Sequence, residues 1–113
     1  MMRAPKLNRK MTLEAPARLS DGAGGYTRNW SVIGTHWVAL DGRTGRERAG
    51  VGTPISRAAY RIIVRAAPVG SPRRPMPEQR FREGQRVFEI LAVTEADENA
   101  RYLICHAKEE RVI

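Results

Sequence analysis

The sequence predicts an all-β fold, a small β-barrel or sandwich of five to six strands with two long loops and an extended N-terminal arm. Three observations carry that expectation. Apolar residues recur at every second position in several short runs, as strands with one buried face require. Glycine and proline clusters punctuate those runs. No run of any length has the 3.6-residue period of an amphipathic helix. At 113 residues the chain suits one domain, 1–113, with one modest core. Closing the sheet on itself is the natural way to remove its edges.

Residues 1–9 carry Pro5 and scattered charge without period and are expected to form an extended arm. From Lys10 the pattern alternates, with Met11, Leu13 and Ala15 on one face, and the strand is expected to end at Pro16. Ser20 to Gly25 holds three glycines and reads as a hairpin turn. Tyr26–Ile33 and His36–Leu40 are aromatic and β-branched, interrupted at Gly34, and form two short strands or one bent strand. Trp30 and Trp37 on them are expected in the core or at a subunit interface.

Residues 41–54 contain four glycines and three arginines, Arg43, Arg46 and Arg48, with almost nothing to bury, so they form an exposed loop. Ser56–Ala66 is the clearest strand, with Tyr60, Ile62 and Val64 alternating against Arg57, Arg61 and Arg65. Residues 68–78 are too rich in proline for a ladder and make a second long loop carrying Arg73 and Arg74. The last third reads as a hairpin: Arg86–Thr94 around Phe88, an acidic turn over Glu95–Asn99, then Arg101–Ala107. Both of its strands have apolar residues on both faces, as a strand covered by a second subunit would.

Charge is the informative part of the composition. Lys and Arg number 20 against 12 Asp and Glu, and the pI is near 10.8. Residues 1–86 hold 17 basic and 6 acidic side chains (+11), whereas residues 87–113 hold 3 and 6 (−3). A polyanion is therefore an expected neighbour, and complementary patches could pair subunits. Arginines meet phosphate without reading bases, giving salt-dependent, sequence-neutral association. No apolar run approaches the roughly 20 residues that span a bilayer, and no apolar segment of a secretory signal follows the basic N-terminus. Neither membrane contact nor export is expected.

Catalytic chemistry finds no purchase. The histidines are His36, inside an aromatic strand, and His106, whose neighbour Cys105 points to the opposite face of its strand. No spacing matches a metal site, and the glycines at 22, 24 and 25 lack the Lys-Ser/Thr ending of a phosphate loop. No cofactor, metal or enzymatic activity is expected. One alternative stays open: a free nucleic-acid-binding barrel using Tyr26, Trp30 and Tyr60 as stacking platforms.

The order of features resembles the siphophage head-tail joining family, also called head-closure, stopper or head-tail adaptor proteins. The resemblance runs from Leu7–Pro16 through Asp21, Gly24-Gly25 and Trp30 to His36-Trp37-Val38-Ala39-Leu40. It continues with Gly45-Arg46-Glu47, Tyr60–Arg65, Arg86–Ile90 and Tyr102-Leu103-Ile104. The sequence departs from the pattern at Pro72–Pro75 and Arg80–Arg82, which are more basic, and at Glu83-Gly84, where a glycine pair is usual. The arginine bias and short length are similar to the versions carried by gene transfer agents of alphaproteobacteria.

The resemblance implies a barrel that assembles as a ring, a hexamer or alternatively a dodecamer. Such a ring lies beneath a portal-bound adaptor ring and above a tail terminator or tail tube protein. It implies a location in the virion or gene transfer particle, with assembly in the bacterial cytoplasm. It also implies a loop in the ring channel that helps retain double-stranded DNA. By position and composition that loop is 41–54, with Arg43, Arg46 and Arg48 nearest the DNA. Arg57, Arg61, Arg65, Arg73 and Arg74 are secondary basic candidates, and Trp30, Trp37, Tyr60 and Phe88 are core or interface aromatics. The expected interfaces are apolar faces that one barrel cannot bury, with the basic body and acidic hairpin supplying charge complementarity.

Overall fold

The structure is a computed structural model that describes residues 4–20, 22, 26–43 and 59–110. Six antiparallel strands make a closed barrel: β1 (Arg9–Ser20), β2 (Tyr26–Arg43), β3 (Ala59–Arg65), β4 (Arg80–Glu83), β5 (Arg86–Glu95) and β6 (Tyr102–Glu109). Around the barrel the order is β1-β2-β3-β6-β5-β4, with β4 closing back on β1. The all-β expectation holds, and the barrel rather than the sandwich is the form taken.

Alternation builds the core. Met11 and Leu13 of β1, Val38 of β2, Ile62 and Val64 of β3 and Phe81 of β4 all point inward. Phe88 and Ile90 of β5 meet Leu103, Cys105 and Ala107 of β6 in the same cluster. Each buried Leu, Ile or Phe side chain contributes roughly 1.5–3 kcal/mol over its exposed state. Two irregularities re-aim the wall. Ile33 of β2 has no residue opposite it where the β1–β2 register shifts at Leu13/Glu14, so the segment around Gly34 is one bent strand. Leu91 is the extra residue of β5 and emerges on the outside, 53% exposed.

Two sequence expectations need correction. The loop expected over 41–54 begins only after Arg43, because residues 41–43 continue β2 and pair with β3. β1 does not end at Pro16 but runs to Ser20 and pairs with β2 throughout. Beyond Glu14 no described strand pairs with the second edge of β1, and a strand with an unpaired edge is where proline is tolerated. Arg80–Glu83, to which the sequence pattern assigns no element, is a strand, and its Phe81 is fully buried. It joins β5 through a two-residue turn whose Gly84 has φ 62°, a backbone angle that glycine adopts freely. The proline-rich connection between β3 and β4 packs on the barrel with Pro75 fully buried. There Arg74 Nη1 donates to the Ala67 carbonyl at 3.0 Å.

Strand direction gives the barrel two distinct ends. One carries the start of β1, the β2–β3 connection, the Gly84 turn and the end of β6. The other carries the β3–β4 connection and the acidic β5–β6 turn, where Asp97 Oδ1 accepts the Arg101 N–H at 3.1 Å.

Candidate functional site

The arginine-rich connection between β2 and β3 is suspended from the first of these ends. Arg43 is the last residue of β2 and pairs in register with Ala59 of β3. Arg46, Arg48 and Arg57 lie outside the described residues, as do 44–58 as a whole. At the base of the connection the backbone of Gly42 runs against the Tyr60 ring. A methyl group at Gly42 would sit 3.3 Å from a Tyr60 ring carbon, so a side chain there would push the ring aside.

Two arginines of the barrel wall at this end are already matched. Arg9 forms a two-pronged pair with Glu83 at 2.7 and 3.1 Å. Arg86 does the same with Glu109 at 2.8 and 3.1 Å and also reaches the Tyr60 hydroxyl at 3.3 Å. The hydrogen bond from Arg9 holds the Glu83 carboxyl below its usual range, and the one from Arg86 does so for Glu109. Arg86 in turn titrates well above an ordinary arginine because of Glu109. Forked, charge-assisted pairs of this kind fix side-chain geometry and leave little free positive potential.

A second matched cluster sits on the outside of the β1–β4 seam. Glu14, 4% exposed, accepts Arg80 Nε at 2.7 Å and Arg82 Nε at 3.4 Å. The Arg80 guanidinium also stacks 4.0 Å from the centre of the Trp30 ring. Sequence reasoning missed this cluster, because its members lie 66 residues apart in the chain. The Arg86–Glu109 pair is closer to legible, since the expected hairpin brings the start of β5 to the end of β6.

The remaining candidates separate by environment. Arg61 faces Asp41 across the β2–β3 pair at 4.0 Å, and Arg74 is tied to a backbone carbonyl. Arg65 and Arg73 are exposed. Of the aromatics, Phe88 is in the core and Tyr60 packs edge-on against it at 5.2 Å. Trp37 is not in the core: it is 55% exposed on the barrel exterior. Trp30 carries Arg80 on its ring, so neither it nor Tyr60 is an open stacking platform; the side chain of Tyr26 is outside the description.

Cys105 and His106 point to opposite faces. Burial pushes the Cys105 thiol up to about 12, whereas His106 Nε2 lies outside the barrel, 3.0 Å from Thr94 Oγ1. His36 is inside, with its ring edge-on to Phe81 at 5.9 Å and no partner on Nε2. Burial is the main cause that lowers its pKa, followed by the charge of Arg73; a hydrogen bond to the Arg73 backbone works the other way.

Comparison with known proteins gives two findings. A family model described as phage head completion protein matches residues 2–110. A chain from a solved structure titled as the virion of a native gene transfer agent (GTA) particle is 49% identical, with a TM-score of 0.80. The match covers 97% of the present chain and 100% of that chain. No curated protein sequence matches.

Proposed function

The chain belongs to the phage head completion protein family, and from that premise we propose that it is the repeating subunit of a connector ring, hexameric or alternatively dodecameric. The family is a structural component of virions rather than an enzyme class, and the chain is a head-closure protein of gene transfer agent type, located in the particle. In our reading the ring lies between a portal-bound adaptor ring and a tail terminator or tail tube protein, and it helps retain the packaged DNA.

One observation supports the DNA part of this reading above others. Arg9, Arg86 and Lys108 of the barrel wall are neutralised within the chain, while Arg43 ends β2 and Arg46 and Arg48 follow it in the connection that leaves that same end. A connection facing the ring axis presents guanidinium groups to backbone phosphates, which they bind without regard to base sequence. The test is a variant with Arg43, Arg46 and Arg48 all replaced by serine, expressed in the particle-producing cell. Heads that join tails but lose packaged DNA are expected. Heads that retain DNA as before would show that this connection is not the retaining element.

A further inference from the structure

The closed strand order places two unmatched surfaces on opposite sides of the barrel. In a ring of six strands, β2 and β5 stand three strands apart whichever way round they are counted. On the β2–β3 side, Trp37 is 55% exposed and Ala39 and Ile63 are cross-strand partners on the outer face. Lys10 lies directly opposite Trp37 on β1, and Arg65 ends β3 beside them. Both cations are exposed, and among the described residues neither side chain has a partner.

On the far side the β5 bulge turns Leu91 outward, 53% exposed, next to exposed Ala92. The segment leading into β4 lies against this bulge, with the Glu78 N–H donating to the Ile90 carbonyl at 3.1 Å. It adds Met76, 54% exposed, and Glu78, which holds a positive φ of 79°. Glu78 stands beside the outward Leu91 and has no side-chain partner among the described residues.

We infer that these two surfaces bind each other between copies of the chain, the basic Trp37 side of one subunit against the acidic Leu91 side of the next. The inference rests on the ring reading and names the contact that would build it. Single exposed apolar residues are ordinary on any surface. These differ in standing beside exposed, unmatched charges of opposite sign on the two sides, Lys10 and Arg65 against Glu78. Two different, complementary patches on opposite sides give a head-to-tail contact, the kind that closes into a ring. An exposed tryptophan at the centre is the residue type that dominates such contacts.

Small outward alanines offer a mild test. Particles are prepared with Ala39→Cys, with Ala92→Cys and with both, then treated with a short bismaleimide; the native Cys105 is buried and does not compete. The double variant should yield a ladder of covalent multimers of this chain, and each single variant none. Multimers from a single variant would mean a two-fold contact and overturn the proposal. So would a double variant that yields only monomer in particles carrying several copies. Particles with one copy per head would instead overturn the ring reading itself. If the cysteine pair blocks assembly, charge reversal decides. Lys10→Glu with Arg65→Glu, or Glu78→Lys, should each lower particle yield about tenfold or more. Combining the three reversals should recover most of that loss, and no recovery would overturn the proposal.

Discussion

The β1–β4 seam and the β2–β3 flank use similar residues to opposite ends. At the seam, Glu14 is buried beneath Arg80 and Arg82, and Trp30 covers Arg80, so charge and aromatic surface are consumed within the chain. On the flank, Trp37 is open to solvent and Lys10 and Arg65 have no acidic partner among the described residues. The difference teaches that an arginine-rich composition is not by itself a binding surface. Several of the arginines hold a four-residue strand in a closed barrel, and only unpaired cations are free for a partner.

Perturbing each region separates the two uses. The largest loss is expected at the seam's inner face, where Phe81→Ala removes a fully buried ring from β4 and should cost about 3–5 kcal/mol in a denaturant titration. Glu14→Ala should come next at about 3 kcal/mol, because it leaves Arg80, with a side chain only 17% exposed, lacking its carboxylate. Trp37→Ala should change the same titration by less than about 0.5 kcal/mol, since more than half of its surface is already open to solvent, yet should impair particle assembly. A large folding cost for Trp37→Ala would erase the contrast.

Acid sharpens the contrast further. His36 has a depressed pKa in the barrel, so below its ordinary value of 6.5 the unfolded chain takes up a proton that the folded chain resists. Stability should therefore fall as pH drops below 6.5. His36→Gln should remove that first decline, and an unchanged decline would place its cause elsewhere. Glu83 and Glu109 are also depressed, so the stability their arginine pairs contribute is complete above 4.5, the ordinary carboxyl value. It should be lost in a second decline at lower pH. Arg86→Gln should diminish that second step alone.

How legible each part is in the sequence follows the range of the interactions. β3, β5 and β6 are readable because one buried face imposes alternation on Tyr60–Val64, Phe88–Ile90 and Leu103–Ala107. β4 is hidden because four residues between a proline-rich connection and a turn give alternation no length in which to declare itself. Pro16 reads as a terminator only if both edges of β1 are paired, and that is a fact of the fold. The exposure of Trp37 is equally invisible, since an aromatic residue in an alternating strand has the same local pattern whichever face is buried. The ordered landmarks from Leu7 to Ile104 point to the family, whereas pairings such as Glu14–Arg80 exist only once distant strands meet.

Electron cryomicroscopy of particles containing this chain tests the central claim most directly. The account predicts a closed ring of identical barrels between the portal-bound adaptor and the tail. In that ring each Trp37 flank abuts the Leu91 flank of the next subunit, and the connection between β2 and β3 faces the axis. A single barrel at the joint, or a particle with tail attached and DNA retained from which the chain is missing, would contradict it.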